Sequence, residues 1–330
     1  MTLDRRTTLA ALAGAGLGPL ALRPAAAQQA AGFPSRPVSV IVPFAPGGST
    51  DFVARLLAQF LGTTMGGSFV VDNRAGASGT VGVAMLARAR PDGHTLAVVP
   101  NGTFAMAPFL LPSLPYDNAK ALAPIGMLAS NAMFICVHPQ SELKTLEDLI
   151  AAAKAQPGKL SFGSAGAGVA NHLGVELLQE MAGIELLHVI YRSGAQGVQA
   201  VMAKEVTLSF VDSVTAIPSL KAGELRALAV TSKERSKQMP DVPTVAERGM
   251  PGYVATTDFG FFAPAGTPQP IIQALAENAR KVMLSEEVRS KLEPLSIDVV
   301  GGMPDEFAAY YAAESQKWGD LIRRRNIKPE

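Results

Sequence analysis

The stretch VSVIVPFAPGGSTDFVARLLAQFL, residues 38–61, sets how the rest of the chain is read. Val38, Val40, Ile41 and Val42 form the short β-branched run of a buried parallel strand. Pro43 and Pro46 stop it, because proline cannot donate to a sheet ladder. Gly47 and Gly48 permit a tight turn and a close approach of backbone to a ligand. Ser49 or Thr50 suits a helix N-cap. Phe52, Val53, Leu56, Leu57, Phe60 and Leu61 then recur at helical spacing as one apolar face. The loop therefore ends on a helix N-terminus, whose unpaired N–H groups and positive dipole end favour an anion. No basic residue lies between Pro43 and Asp51. The stretch reads either as a pocket for a small carboxylate or as an ordinary strand-to-helix turn with a good cap.

Upstream, residues 1–27 have the pattern of an export signal. Arg5 and Arg6 form a charged start, residues 9–22 an apolar segment too short to span a membrane, and Ala25-Ala26-Ala27 a cleavage site. The arginine pair followed by Leu9 is similar to a twin-arginine signal, although Thr8 stands where that signal usually has Phe, and a general secretory signal is the alternative. Cleavage leaves about 300 residues, enough for two domains. Hydrophobic residues make up 48% and charged residues 17%, so a large core is available. The formal charge of +1 becomes about −1 once residues 1–27 are removed. That balance excludes a nucleic-acid footprint or a strongly basic membrane-binding face, and no membrane insertion is expected after cleavage. Cys136, the single cysteine, sits in an apolar run and reads as a small buried hydrophobe.

Downstream, two more strand–loop–helix units follow. Residues 69–71 and 95–99 read as strands, and Asn73-Arg74-Ala75-Gly76-Ala77-Ser78-Gly79 as a loop opening a helix. Three such units argue for a parallel, doubly wound sheet, which binds ligands outside the carboxyl ends of its strands. Ser49, Thr50, Asn101 and Thr103 lie at such ends. Residues 107–116 carry prolines and read as an irregular connection. Residues 125–137 read as a strand that leaves the first sheet for a second. There the pattern recurs: a strand at 160–162, the loop Gly163-Ser164-Ala165-Gly166-Ala167-Gly168, and a helix over 171–181. A two-lobed protein could clamp an anion between two helix N-termini. Residues 258–263 read as the return crossing, followed by helices over 270–284, 286–292 and 304–325 that are expected to cover the first lobe.

Several motifs together resemble the Bug, or TctC-like, solute-binding proteins of tripartite tricarboxylate transporters. They are VPFAPGGSTDFVARLLAQFL (42–61), VVDNRAGASGTVG (70–82), ARPDGHTL (89–96), FGSAGAGVANHLGVELL (162–178), AGELRALAVTSKERSKQMPDVPTVAERGMPGY (222–253) and FGFFAPAGTP (259–268). The resemblance implies an α/β fold: a two-lobed Venus flytrap, type II-like, with two doubly wound mixed sheets joined by two crossover strands. Lobe 1 would comprise residues 28–128 and 258–330, and lobe 2 residues 129–257. It implies a periplasmic receptor that closes on a small carboxylate and delivers it to transporter subunits in the membrane. By position, Phe44, Ala45, Gly47, Gly48, Ser49, Thr50, Asp51, Asn101 and Thr103 would contribute from the first lobe. Ser164, Ala165, Gly166, Ala167 and Gly168 would contribute from the second, with His172, Arg192, Ser193 and Asp212 at the border of the cleft. The chain departs from the family pattern at Arg192-Ser193-Gly194, at Ala203-Lys204 and at Asp258, where Trp is common.

Several of these residues have structural readings as well. Asp51 suits capping its own helix. Asp212 could receive an ammonium or hydroxyl of a ligand or make a structural hydrogen bond. Arg192 could pair with a carboxylate or link loops. His172, in a first helical turn, is expected to be neutral. His94, His138, His172 and His188 show no metal spacing, and neither a metal nor a cofactor is expected. No nucleophile elbow occurs, and no Lys or His is expected beside a candidate nucleophile. The chain is therefore not read as an enzyme. A receptor that presents its closed form to a membrane sensor kinase is the alternative of another class.

Overall fold

The computed structural model describes residues 32–328 apart from Pro112, Ala119, Ala167 and Arg192. The expected export segment lies outside the described residues. Strand β1 (Val38–Val42) is flanked by two parallel neighbours, β2 (Phe69–Asn73) and β3 (Thr95–Pro100). Helices cover it, which is why Val38, Val40 and Val42 are fully buried. Helix α1 (Ser49–Met65) returns the chain from β1 to β2, and α2 (Thr80–Ala87) from β2 toward β3. The apolar face of α1 is Val53, Leu56, Leu57 and Leu61; Phe52, expected on that face, is exposed. After β3 the chain makes a wide π-helical turn, Gly102–Met106, and a short helix, α3 (Ala107–Leu110). Phe104, Ala105 and Met106 are fully buried there, and the segment expected to be irregular, 107–116, opens with α3.

Strand β4 (Leu122–Val137) is the long crossover. Helix α4 (Leu146–Ala155) and strand β5 (Ser161–Ser164) follow, then α5 (Ala170–Ala182), β6 (Leu187–Ile190), α6 (Gly194–Met202) and β7 (Leu208–Asp212). Next come α7 (Ser213–Lys221), β8 (Arg226–Val230) and β9 (Thr256–Pro264). From Leu122 to Ala132, β4 pairs antiparallel with β9; from Met133 to Val137 it pairs with β7, and β8 joins it from Phe134. It changes sheets past residue 128, where the sequence drew the edge of the first lobe. β5 lies parallel between β6 and β7, which repeats the first half in kind. The strand order β2-β1-β3-β9-β4-β7-β5-β6 thus holds two α/β units joined through β4. The return runs through residues 231–255 into β9, where Thr231 N donates to Met133 O and Ala255 N to Thr231 O.

The remaining elements are α8 (Gln269–Met283), α9 (Glu286–Leu292), β10 (Ile297–Val299), which pairs with β4, and α10 (Pro304–Arg324). α10, expected to cover the first lobe, also reaches the second half. Its 21 residues span roughly 30 Å. Trp318, Leu321 and Ile322 near its end share a core with Phe162 and Leu173. Arg324 then pairs with Glu180 of α5, and Arg325 with Glu176. Among the described residues no helix is long and apolar enough to cross a membrane.

Candidate functional site

The carboxyl ends of β1, β2 and β3 carry three loops that converge. In the first, Phe44 is half-buried and Ala45, Gly47 and Gly48 are exposed. Gly48 is the N-cap of α1 and offers no side-chain cap, so the first-turn N–H groups at Ser49 and Thr50 are left without a carbonyl from the helix. Asp51 does not add to this surface. Its carboxylate accepts from Gly47 N at 3.0 Å, Arg55 Nε at 2.9 Å and Asn73 Nδ2 at 2.9 Å, and the residue is 4% exposed. Asn73 also donates to Phe44 O. Burial pushes the Asp51 carboxyl up, but these hydrogen bonds outweigh it and hold the group below its ordinary value. Asp51 is a tie that shapes the loop rather than the cap of its own helix.

Asn101 and Thr103, also assigned to ligand by resemblance, are both fully buried. Asn101 Nδ2 donates to Thr256 O and to Asp258 Oδ2, each at 2.9 Å, which fastens the end of β3 to β9. Asn101 Oδ1 has no partner. Thr103 Oγ1 donates to Ser78 O at 2.9 Å and so holds the β2–α2 loop.

The second glycine loop follows β5. Ser164 is fully buried; its Oγ lies 2.6 Å from His188 Nε2, receives Gly166 N at 3.2 Å and donates to Gly166 O at 3.1 Å. The expectation that no histidine neighbours a candidate nucleophile is thereby corrected. β5 and β6 are parallel neighbours, with Ser164 opposite Ile190 and Phe162 opposite His188, a pairing that spacing along the chain does not reveal. The hydroxyl is turned into its own loop, and burial pushes the imidazole of His188 down to about 4. Ala165 and Gly166 are half-buried, Gly168 is buried, and Ala167 lies outside the described residues. His172 is 4% exposed, accepts Gly168 N at Nδ1 (3.0 Å), and presents Nε2 to Glu176 at 3.6 Å. It faces the protein interior.

The two halves meet at these loops. A Cβ on Gly102 would lie 3.5 Å from Ala170 N, and one on Gly168 would run into Leu110. The N-terminus of α5, which has no side-chain cap, therefore abuts the turn after β3. Asn171 Oδ1, in the first turn of α5, is a second buried acceptor without a partner beside this contact. Ser193 is exposed and caps α6 by accepting Gln196 N, while Arg192 lies outside the described residues. Asp212 accepts from Thr257 Oγ1 at 3.2 Å next to the point where β4 changes sheets, and burial pushes its carboxyl up to about 6. Two cavities, of ≈ 200 and ≈ 320 Å³, open where the sheets join, and neither is lined by a glycine loop. Among the described residues no group of His, Cys, Asp and Glu has metal-ligand geometry.

Residues 53–327 match the family model described as tripartite tricarboxylate transporter family receptor. The chain belongs to this receptor family. BugT of Bordetella pertussis is 34% identical over 297 residues, covering 90% of this chain and 91% of BugT. Two solved structures agree in fold. R. palustris Rpa4515 with adipate has a TM-score of 0.83 and 32% identity, covering 90% of this chain and all of that one (100%). MatC from Rhodopseudomonas palustris with bound malate has a TM-score of 0.79 and 32% identity, covering 88% and 100%.

In this receptor chain the loop over 73–79, read from the sequence without a site residue, joins the candidate site. After β2, Gly76, Ala77, Ser78 and Gly79 all have positive φ, two of them without being glycine. Such backbone is uncommon and collects at functional sites. A Cβ on Gly79 would come within 2.5 Å of Thr103 Oγ1 and 3.2 Å of the Phe44 ring, so this loop sits among the other two. The signal was the small-residue run AGASG directly after a strand. Asp258, noted as a departure from the family pattern, is 1% exposed and accepts from Ser130, Thr256, Asn101 and Tyr310, which fastens both long strands to α10.

Proposed function

We propose that this chain is a periplasmic receptor that captures a small carboxylate between its two lobes and delivers it to a tripartite tricarboxylate-type transporter in the membrane. One observation carries the reading: three loops at strand ends converge in the first half, and the uncapped N-terminus of α5 in the second half abuts the last of them. The described residues of the first and last of these loops bear no basic side chain, so the ligand charge would be met by backbone N–H groups and dipoles. The structures of relatives with adipate and malate support a carboxylate. Binding would shift the population from open to closed lobes. Asn101 Oδ1 or Asn171 Oδ1 would receive the hydroxyl donor of a hydroxy acid, because an unpaired buried acceptor is costly. The chemistry proposed is binding, without turnover. Calorimetric titration of the purified protein with malate and with succinate tests the reading. Malate is expected to bind more tightly, with an affinity that changes little with added salt. A preference for succinate would remove the role of the two asparagines, and an affinity that collapses in salt would point to side-chain cations instead.

A further inference from the structure

The second glycine loop rests on two histidines, and these lead to the far end of the chain. His172 and His188 stack with ring centroids 4.2 Å apart, and Phe162 stacks on His188 at 4.6 Å. His188 holds Ser164 at the start of the loop, and His172 holds the Gly168 N–H at its end. Because His172 Nδ1 accepts this N–H, its proton resides on Nε2, facing Glu176 Oε1. Glu176 receives Gln179 Nε2 on the same oxygen and Arg325 Nε on the other, at 2.8 and 2.9 Å. Arg325 also donates to Glu185 and directly follows α10, which begins on the other lobe. The Arg325 and Glu176 side chains are 20% and 12% exposed, so water screens their contact little.

We propose that Arg325, Glu176 and His172 are positioning residues for the ligand loop. Arg325 orients Glu176, Glu176 selects the tautomer of His172, and His172 Nδ1 fixes Gly168 against the N-terminus of α5. Arg325, 149 residues from Glu176, thereby sets the geometry of the second half of the site. A role of this loop in binding rests on the proposed function; the chain of polar contacts does not.

The test is amide hydrogen exchange of the purified protein without ligand, read at Gly168 and at Val175 within α5. His172→Leu removes the acceptor, whereas His172→Asn places an amide oxygen where Nδ1 stood. Gly168 is expected to exchange about tenfold faster in His172→Leu, the worth of one hydrogen bond, and to return near the parent rate in His172→Asn. Glu176→Gln and Arg325→Ala, which leave the imidazole in place, should speed Gly168 in the same direction with Val175 unchanged. Equal exchange at Gly168 in all variants, or a rise shared by Val175 without rescue by Asn, would overturn the proposal. Adipate and malate titrations of the same variants separate the two claims. Altered Gly168 exchange with no binding by the parent protein would retain the chain of polar contacts and reject the carboxylate reading.

Discussion

Asp51 shows how a single residue can brace a candidate loop. Its carboxylate gathers Gly47, Arg55 and Asn73 around the first loop. Asp51→Asn keeps the size and loses acceptors, and should lower stability at neutral pH by about 1–2 kcal/mol in denaturant unfolding. The folded carboxyl titrates below its ordinary 3.8, so its contribution is complete above that value and is lost as pH falls through the folded pKa. The gap between Asp51→Asn and the parent should therefore close in strong acid. His188 also costs stability in acid, but because its folded environment excludes the charged form. Burial first, and then His172, push its imidazole from 6.5 to about 4. Between those values the unfolded chain takes up a proton that the folded one refuses, so stability falls as pH drops from 6.5 toward 4. NMR titration of the ring should show His188 neutral at pH 5.5, whereas a midpoint near 6.5 would mean that the stack does not exclude charge.

At the scale of elements, the strand–loop–helix units were legible because each obeys a local rule. β-branched runs end at proline or glycine, and apolar residues then recur at helical spacing, as Val38 to Val42 and Val53 to Leu61 show. The candidate loops were legible for the same reason. What the residues of these loops do was not, because it depends on neighbours far along the chain. Thr103 holds Ser78, Asn101 holds Asp258, and Ser164 meets His188, pairs that only the sheet order brings together. α10 was assigned to one lobe because its apolar face says what it buries but not against which partner. The AGASG loop makes a prediction at this scale. Gly79→Ala would force a side chain into φ +89 and against Thr103. It should cost about 1–3 kcal/mol in stability. A neutral substitution would mean that this loop is free to move away from Thr103.

For the whole molecule, the architecture explains how a site whose first and last loops carry no basic side chain among the described residues could favour an anion. Two α/β units share β4, and their loops face each other where the carboxyl ends of both parallel sets point. In the proposed site the uncapped N-termini of α1 and α5 would both serve an anion, and their dipoles would add without a counter-charge to be desolvated. α10 bridges the units from outside through Arg324 and Arg325, so motion between them has to pivot without breaking those ion pairs or has to exchange them. The central claim is that a carboxylate is recognised by this gap. It is tested most directly by thermal unfolding of the purified protein with a panel of small carboxylates and their neutral amides. At about a hundredfold excess over its dissociation constant, a true ligand stabilises the fold by roughly 2.7 kcal/mol. Stabilisation by an acid and none by its amide is the expected result. Equal stabilisation by acid and amide would contradict an anion site built from helix N-termini.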